Sequence, residues 1–535
     1  MRIFIVESPT KAKTISRYLG KGWTVKATLG HIKELPVDSL GVDEDTLSPT
    51  FVWVKGKKKL FDEIKRIAQR SESIYIGTDP DREGEAIAYF VYKELERLKK
   101  PISRVVFYEI TPESIREAVT RPGNINMNLV KAQFARRVLD RLIGYKLSPY
   151  LWKALGKNTL SVGRVQSPAL RLIVEREREI LAFRKRDYYY IRAFFEKDGI
   201  EFSAVWDYRF EKPDNAKPYL EKLKDAFFEV KDYEHRKEKR EPPKPFITSS
   251  LQQTANQRLK LSVDKVQKIS QSLYEEGYIT YPRTDSHRMN PKKAQEFMSH
   301  IEKNYGKEYV GKLRTFKEKA IAQGAHECIR PTSPSVPPLK GVELELYLLI
   351  FQRTLASLSS PAVLLKKKAL LLPLHEEKKG EEMVFVAKAT ELLFDGYLRI
   401  YPEDLELNEL PLLREGEILK PKKIVLEKRQ TQPPPRYTEG TLVKKLEDLG
   451  IGRPSTYATI VKTLKDRGYI VEEKGYLKPT ELAFHVVDFI KDRFPKVIEY
   501  QFTRRMEEGL DQVEEGHREW KEVVREFFSE VEAGL

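Results

Sequence analysis

The sequence predicts a multidomain protein that combines an α/β domain with further domains of the α+β class. The chain has 535 residues, 40% of them apolar, which is enough for about three or four domains at roughly 150 residues each. The first ~120 residues alternate short apolar runs with amphipathic helices, as is typical of an α/β fold. Beyond them, long helical stretches alternate with strand-like stretches, so the later domains are expected to be mainly helical or mainly β.

Three short apolar runs in the N-terminal region predict buried strands, at residues 3–6, within 71–77 and at 105–107. Helical sequence separates the runs. Strands that alternate with helices favour a parallel sheet covered by helices. We therefore expect an α/β sandwich in this region.

The middle of the chain changes its periodicity twice. Residues 126–183 have a helical period, and from Tyr188 the apolar residues alternate with a period of two. The pair Asp198-Gly199 in this alternating region predicts a tight β-hairpin. A stretch rich in proline and lysine, residues 235–245, is expected to be a boundary.

The second half of the chain repeats this alternation. Helical sequence extends from Ser249 to residue 358, and strand-like runs follow at 369–374 and 384–393. Residues 430–435, with three consecutive prolines, predict a linker before a helical C-terminal region. This order suggests that two domains are each built from separated segments.

The charge and cysteine content restrict the class of protein. Lys and Arg number 96 against 80 Asp and Glu, a net charge of +16, which favours a polyanionic partner. Most of the charges are mixed in sign along helices, as on a solvated surface.

The single cysteine, Cys328, excludes an intramolecular disulfide and a thiolate zinc cluster and favours a reducing compartment. No apolar run approaches the ~18 residues of a membrane span, so we expect a cytoplasmic protein without a membrane partner.

The first candidate site is the segment that follows the first predicted strand. Ser8 is a suitable N-cap and Pro9 suits the first position of a helix. The amides of that helix N-terminus are available to an anion, with Glu7 at the end of the strand and Lys11 one turn into the helix. The same residues are equally typical of a well-capped helix with no function.

The second candidate site is acidic. Asp79, Asp81, Glu83 and Glu85 lie within seven residues between a strand and a helix. In an extended segment Asp79 and Asp81 project to the same side, and their hard oxygens suit Mg²⁺, which takes one or two carboxylates from a protein. Gly84 permits a close backbone approach. A solvated acidic turn is the alternative, but α/β folds place their sites at strand carboxyl ends.

The third candidate site is a helix with a basic face. Its polar side carries Arg136, Arg137, Asp140 and Arg141. Asp140 is expected to pair with Arg136, four residues earlier. An ordinary amphipathic helix and a face that grips phosphates both explain this pattern. A flexible glycine and another arginine, Gly163 and Arg164, follow it.

The fourth candidate site contains Tyr281 and Arg283. A helix that begins near Ser262 should end at Gly277, and Tyr281 precedes a proline, which favours an extended backbone. Tyr281 and Arg283 then lie on one side. A cation near a tyrosine lowers the cost of the phenolate that would act as a nucleophile. Spacing alone does not select Tyr281 among the 26 tyrosines.

Other chemistries fit poorly. The sequence has no Gly-x₄-Gly-Lys-Ser/Thr loop for ATP, no His-Glu-x-x-His zinc motif and no Gly-x-Ser-x-Gly elbow. The His326-Glu327 pair includes a single histidine and cannot close a zinc site. Cys328 is expected to be a small buried residue.

Taken together, these segments resemble the type IA DNA topoisomerases. They occur in the order typical of that family across nearly the whole chain, at residues 7–11, 30–32, 79–85, 136–145, 161–167, 275–286, 325–331, 452–457 with 466–469, and 502–513.

The resemblance implies a Toprim domain with a Rossmann-like sheet and three further domains, helical and β-rich, that enclose a toroidal hole the size of DNA. The boundaries that we expect are 1–125 for the Toprim domain, 126–183 with 439–535 for a helical DNA-binding domain, 184–246 with 361–438 for a β-rich hinge domain, and 247–360 for a helical domain that carries Tyr281.

The resemblance also implies the reaction. Tyr281 would attack a phosphodiester of single-stranded DNA, form a 5′-phosphotyrosine and release a 3′-hydroxyl. The ester keeps the bond energy, so resealing needs no ATP. The expected outcome is Mg²⁺-dependent relaxation of negatively supercoiled DNA by strand passage.

The family pattern gives each candidate residue a role. Asp79, Asp81 and Glu83 would hold Mg²⁺, and Glu7 would be a metal ligand or the acid that protonates the leaving oxygen. Lys11 and Arg283 would stabilise charge in the transition state, and Gly163 is expected to be the hinge of the gate. Supporting or DNA-contacting positions are His31, Arg136, Arg137, Asp140, Arg141, Gly163, Arg164, Gln166, Glu275, His326, Arg330, Arg453 and Thr456.

The chain departs from many bacterial members of the family because it ends at Leu535 without cysteine-rich zinc ribbons, so no zinc is expected. It also lacks the helicase-like module of reverse gyrase. We expect a monomer associated with the nucleoid. The alternatives are a decatenase resembling topoisomerase III, a Toprim nuclease or primase, and a non-catalytic single-strand binder.

Overall fold

The structure, a computed structural model, describes residues 1–318, 326–374 and 383–534. Ala325, the first residue of one motif named above, and Leu535 lie outside the described residues. The N-terminal region contains β1 (Arg2–Val6), α1 (Pro9–Leu19), β2 (Trp23–Ala27), β3 (Lys33–Glu34), β4 (Val52–Trp53), α2 (Lys57–Gln69), β5 (Ile74–Ile76), α3 (Arg82–Leu95), β6 (Ile102–Arg104) and α4 (Pro112–Thr120).

A four-stranded parallel sheet of order β2-β1-β5-β6 organises this region. Strand β1 is central, and Ile3 to Val6 are fully buried because helices cover both faces. The predicted third strand is displaced: residues 102–104 pair with β5, whereas Val105 and Phe107 are core residues beyond the strand end. Strand β2 escaped prediction because its side chains are all half-buried and give no apolar run.

The next segment contains two helices followed by strands. It consists of α5 (Met127–Leu155), α6 (Gln166–Ala182), β7 (Asp187–Lys197), β8 (Ile200–Trp206), α7 (Pro213–Leu223) and β9 (Phe228–Arg240). The predicted hairpin joins β7 and β8, and Asp198 and Gly199 both have positive φ, 53° and 78°, as a two-residue hairpin turn requires.

The following segment has helices first and strands second. It consists of α8 (Thr248–Leu259), α9 (Val263–Glu275), α10 (Pro291–Tyr305), α11 (Gly341–Ser357), β10 (Ala362–Pro373), β11 (Phe385–Phe394), β12 (Ile418–Leu419) and β13 (Lys423–Gln430). A seven-stranded antiparallel sheet of order β12-β9-β10-β11-β8-β7-β13 combines strands from both segments.

The boundary expected at residues 235–245 is wrong in its first half. Strand β9 continues to Arg240 because residues 235–240 pair with β10, a partner more than a hundred residues away. Only residues 241–245 leave the sheet before α8.

The C-terminal region is helical, with one small hairpin. It contains α12 (Glu439–Leu449), α13 (Tyr457–Asp466), β14 (Ile470–Glu473), β15 (Tyr476–Pro479), α14 (Glu481–Arg493), α15 (Pro495–Ile498), α16 (Tyr500–Glu514) and α17 (Trp520–Glu532). Its helices share one apolar core with α5 and α6. Helix α5 is buried over most of its circumference because α3, α16 and α17 pack around it.

The connections arrange these regions in a circuit. Two chain segments, α6 to β7 and β13 to α12, join the seven-stranded sheet to the helices that share the core of α5. Two others, β9 to α8 and α11 to β10, join it to the helices around α9. Non-covalent contacts of α8 with α12, α9 with α13 and α1 with α9 close the circuit. Among the residues described, no helix has the length and apolar character needed to cross a membrane.

Candidate active site

The site lies at the carboxyl edge of the parallel sheet. Glu7 follows β1, and Asp79 and Asp81 follow β5, the neighbouring strand. Helix α1 begins as predicted, with the Ser8 side chain accepting a hydrogen bond from the Lys11 amide and with Pro9 at the first position. Helix α3 uses Asp81 itself as its N-cap, because Asp81 Oδ1 accepts a hydrogen bond of 2.7 Å from the Gly84 amide.

Gly84 is required by the close approach of the acidic loop to helix α3. A Cβ atom at this position would lie 2.0 Å from the carbonyl oxygen of Asp79 and 2.9 Å from its nitrogen. Both atoms belong to the main chain and cannot rotate away. The glycine therefore allows the loop to present the two aspartates from one tight turn, as predicted.

Tyr281 and Arg283 join this acidic edge from a distant part of the chain. The Tyr281 amide donates a hydrogen bond of 2.8 Å to the carbonyl oxygen of Tyr108, next to the parallel sheet. Its hydroxyl donates to Asp81 Oδ2, 200 residues away in the sequence, and Arg283 Nε donates to the Tyr281 oxygen at 2.8 Å. The predicted nucleophile and the predicted acidic cluster are thus in direct contact.

Arg283 lies between the two aspartates. Its Nη2 atom is 2.9 Å from Asp79 Oδ2 and 3.0 Å from Asp81 Oδ2, and Gln271 Nε2 also donates to Asp79 Oδ2, at 3.1 Å. Burial alone would lower the pKa of the Arg283 guanidinium, but Asp81 and its neighbours raise it well above its usual value. The arginine is therefore a permanent cation in this structure.

Lys11 is fully buried and holds the other side of the cluster together. Its ammonium group donates to Glu7 Oε1 at 2.7 Å and to Asp79 Oδ1 at 2.9 Å, while Glu7 Oε2 accepts from the Asp79 amide at 2.7 Å. Burial, followed by the charge of Asp79, raises the pKa of the Glu7 carboxyl. A raised pKa is what a proton donor near neutral pH needs.

Tyr281 is only 2% exposed. Burial raises the pKa of its phenol well above the usual value, and Asp81 and Asp79 act in the same direction. Arg283 opposes them, as its position beside Tyr281 led us to expect, but it does not outweigh them. In this closed arrangement the hydroxyl stays protonated.

Glu83 lies at the outer rim of the site. His31 Nε2 lies 3.0 Å from Glu83 Oε1, and this hydrogen bond is the main cause that lowers the pKa of the Glu83 carboxyl to about 2. The other Glu83 oxygen is 4.0 Å from Arg283 Nη1. Glu83 is thus an ionised carboxylate that lies near Arg283 but farther from it than Asp79 and Asp81.

The basic helix differs from its prediction. Asp140 pairs with Arg164, at 2.7 Å, and not with Arg136. Arg136 is turned to Gln133 Oε1 at 2.7 Å and Ser455 Oγ at 3.2 Å. The predicted pairing is wrong because the segment between α5 and α6 brings the buried Arg164 back to α5, beside Asp140.

The other predicted arginines also have partners within the protein. Arg137 donates to Glu34, and Arg141 donates to the carbonyl oxygens of Pro36, Ser39 and Leu40. The three other arginines donate to carboxylates: Arg164 to Glu507, Arg453 to Asp511, and Arg330 to Glu327 and Glu109. Glu275 accepts a hydrogen bond from Ser8, and Thr456 accepts one from the Arg453 amide. The ring of His326 packs against the ring of Tyr108. Arg164 is fully buried, so its role is to hold Asp140 and Glu507 in place within the protein.

An open cavity of about 490 Å³ adjoins Asp81 and Arg283, the hydrogen-bond partners of the Tyr281 hydroxyl. Residues from distant segments line it, among them Asp81, Arg136, Arg283, His326 and Arg453. The cavity therefore joins the acidic edge to the basic helices around α5 and α16. The structure also adds residues that the sequence did not single out, namely Arg82, Gln271, Glu507, Asp511 and Glu514.

The donor set at the centre fits Mg²⁺ by its chemistry. Asp79 and Asp81 direct one oxygen each at a single cationic nitrogen of Arg283, and Mg²⁺ takes one or two carboxylates together with water and phosphate oxygens. Within the described residues, three or more acidic, cysteine or histidine ligands do not gather at one point. The fit is therefore to an ion that leaves most of its coordination to other ligands.

Two family models match successive parts of the chain. Residues 2–110 match the Toprim domain model, and residues 124–525 match the DNA topoisomerase model. DNA topoisomerase 1 of Aquifex aeolicus is 58% identical over 533 residues, which cover 99% of this chain and 98% of that protein. The chain belongs to the type IA DNA topoisomerase family.

Two further relatives support the assignment to the topoisomerases. DNA topoisomerase 1 of Campylobacter jejuni is 39% identical over 98% of this chain and 77% of its own length. The solved structure of full-length topoisomerase I from Thermotoga maritima superposes with a TM-score of 0.89 at 40% identity, over 99% of this chain and 90% of that one. The predicted fold class, a ring of helical and β-rich domains with an N-terminal Toprim domain, is confirmed. As a type I topoisomerase, the protein is an isomerase that binds DNA.

Proposed function

We propose that this protein relaxes negatively supercoiled DNA without ATP, by Mg²⁺-dependent cleavage, passage and religation of a single strand through a 5′-phosphotyrosine on Tyr281. The observation that carries the proposal is the position of the Tyr281 hydroxyl, between Asp81 and Arg283 at the carboxyl edge of the Toprim sheet. A Toprim nuclease or primase needs the acidic edge but has no use for a tyrosine held against it.

The residues divide the chemistry between them. As Tyr281 Oη forms its bond to phosphorus, its proton leaves toward Asp81, the acceptor of its hydrogen bond. The bond from phosphorus to the 3′-oxygen breaks, and Glu7, whose carboxyl has a raised pKa, donates a proton to that oxygen. Lys11 and Arg283 supply fixed positive charge to the phosphate oxygens in the transition state.

Asp79 and Asp81 are the proposed Mg²⁺ ligands, with Glu83 and Glu7 as adjoining carboxylates. When bound, the ion supplies positive charge that draws the DNA phosphate into the site. The family as a whole supports this assignment, and the donor chemistry of the two aspartates agrees with it. We propose no zinc and no ATP site.

Access to Tyr281 requires the circuit of domains to open. With Tyr281 2% exposed, a DNA strand reaches the hydroxyl only if the Tyr281 segment separates from the Toprim sheet. The contacts that must break include Tyr281 with Asp81 and Ser8 with Glu275, at 2.8 Å. We propose Gly163 as a hinge for this motion. We also propose that the four domains with the boundaries given above move relative to one another.

The remaining details of the proposal concern the partner and the assembly. The proposed substrate is a single-stranded segment of negatively supercoiled duplex, and the arginines that line the cavity are the proposed contacts. The proposed active unit is a monomer at the nucleoid. Decatenation, as by topoisomerase III, would use the same chemistry on linked circles.

The decisive experiment traps the covalent intermediate. Purified protein is mixed with a single-stranded oligonucleotide labelled at its 3′ end, in the presence of Mg²⁺, and then denatured. The proposal predicts a labelled adduct that is absent with Tyr281→Phe and with EDTA. Failure of the unaltered protein to form an adduct, or an equal yield with Tyr281→Phe, would refute the proposal.

A further inference from the structure

The hydroxyl of Tyr274 is buried without a hydrogen-bond partner. The side chain is 0% exposed, and its oxygen has no hydrogen-bond partner among the described residues. The carboxylates and cations around it are all paired with one another. The Tyr274 hydroxyl therefore lacks a hydrogen-bond partner, although the charged groups beside it are paired.

Tyr274 lies at the centre of the candidate active site. Its ring packs edge-to-face against the ring of Tyr281, with 5.3 Å between centroids, and the Lys11 ammonium is 5.9 Å from the centroid of the Tyr274 ring. Helix α9 places Gln271, Tyr274 and Glu275 on one face, and the first and last of these bond to Asp79 and Ser8.

The phenol of Tyr274 remains a hydrogen-bond donor at neutral pH. Burial, with the charges of Asp79 and Glu7, raises its pKa well above the usual value. A buried hydroxyl without a partner costs about 1–3 kcal/mol, and a phenylalanine would fill the same space without that cost. The hydroxyl therefore indicates a partner that arrives with the substrate.

We propose that the Tyr274 hydroxyl donates a hydrogen bond to a non-bridging oxygen of the scissile phosphodiester when DNA is bound. The inference rests on the proposed function, because it assumes that DNA is cleaved at Tyr281. A phosphate oxygen brought to the Tyr281 hydroxyl enters the neighbourhood of the Tyr274 ring and of Lys11. Tyr274 forms no covalent bond and loses no proton in this role; it stabilises negative charge that grows on the phosphate.

The first test compares Tyr274→Phe with Tyr347→Phe. Tyr347 is another buried tyrosine, and its hydroxyl donates to the Ser335 carbonyl. We expect Tyr274→Phe to slow single-turnover cleavage of an oligonucleotide by at least about tenfold with an unchanged or raised melting temperature. Tyr347→Phe should show the reverse pattern, because it removes a hydrogen bond and touches no DNA.

The second test replaces one non-bridging oxygen of the scissile phosphate by sulfur, a weaker hydrogen-bond acceptor. For one diastereomer, the ratio of the oxygen to the sulfur cleavage rate should be smaller in Tyr274→Phe than in the unaltered protein. Equal ratios would overturn the inference, as would a cleavage rate of Tyr274→Phe within about twofold of the unaltered rate.

These outcomes are distinguishable from failure of the proposed function. If the unaltered protein forms no adduct, the proposed function fails. If it forms the adduct and Tyr274→Phe cleaves each of the two substrates at the rate of the unaltered protein, only the role of Tyr274 fails. DNA affinity measured in the Tyr281→Phe background, where no cleavage occurs, should fall by a smaller factor than the cleavage rate when Tyr274 is replaced by Phe, since the hydrogen bond strengthens with charge in the transition state.

Discussion

Arg283 and Asp79 are joined by a 2.9 Å hydrogen bond between the Tyr281 segment and the Toprim sheet. The same guanidinium nitrogen also contacts Asp81. A positive charge thus already occupies the position between the two proposed metal ligands. A divalent cation at the proposed site would therefore compete with the arginine for the same carboxylate oxygens.

The first prediction concerns this competition. Arg283→Gln removes the cation, so Mg²⁺ affinity of the DNA-free protein should rise by about 1 kcal/mol, roughly fivefold, while cleavage slows because the transition state loses its charge. Calorimetric titration with Mg²⁺ measures the first effect. Arg504→Gln, on the rim of the same cavity, is the matched control. Unchanged Mg²⁺ affinity in Arg283→Gln would contradict the competition.

The second prediction concerns the acidic turn. Gly84→Ala forces a Cβ atom against the main chain of Asp79, so we expect a loss of about 1–3 kcal/mol in unfolding free energy and a severe loss of adduct formation. Denaturant unfolding and adduct yield measure the two effects. Gly144→Ala provides the control because its Cβ would meet no atom closer than 3.7 Å within helix α5. That variant should be neutral or slightly stabilising. Equal behaviour of the two variants would rule out the steric explanation.

The third prediction is a pH dependence of stability. Burial opposes ionisation of Glu507, but Arg164 and Arg453 lower the pKa of its carboxyl from 4.5 to about 2. Because the folded-state pKa is the lower one, this carboxylate stabilises the protein above pH 4.5, and the contribution is lost as the pH falls from 4.5 toward 2. Glu507→Gln should therefore cost about 3 kcal/mol at pH 7.

The difference between the unaltered protein and Glu507→Gln should shrink below pH 4.5. Denaturant unfolding at several pH values between 3 and 7 measures it. A difference that stays constant over this range would show that the charge of Glu507 does not stabilise the fold. Glu508→Gln, on the exposed side of the same helix, should change stability little at any of these pH values.

The fourth prediction separates motion from chemistry at Gly163. Its φ is not positive, and an added Cβ atom would meet the end of the flexible Gln166 side chain, at 2.1 Å. Gly163→Ala should therefore fold normally and cleave a short oligonucleotide at nearly the unaltered rate. Relaxation of a supercoiled plasmid should slow several-fold, because the proposed strand passage requires the gate to open. A plasmid relaxation rate equal to that of the unaltered protein would remove Gly163 from the hinge.

Local chemistry made half of the site predictable. The N-cap at Ser8, the turn at Gly84 and the placement of Glu7 and Asp79 after buried strands all depend on neighbouring residues. Parallel strands bring their carboxyl ends to one edge, so the cluster followed from the strand assignments. Tyr281 was different, because only the family resemblance distinguished it from the other tyrosines.

Long-range partners explain what the sequence did not reveal. The pairing of Asp140 with Arg164 depends on the segment between α5 and α6 folding back onto α5, and Glu507 is 343 residues from Arg164. Nothing in the sequence around either residue signals the contact. The helical wheel of α5 predicted one exposed polar face, but helices from the N- and C-terminal regions pack around α5, so Arg136 is buried while Asp140 stays exposed.

The pairing of Arg164 with Glu507 also sets an order for biogenesis. A ribosome adding about 5–20 residues per second needs roughly 20 to 70 seconds to travel from the arginine to its carboxylate. The Toprim sheet is complete by residue 104 and can form on the nascent chain. Helices α5 and α6 must wait with their apolar faces uncovered until α16 emerges, so this half-built core is the stage of synthesis at which the chain most needs a chaperone.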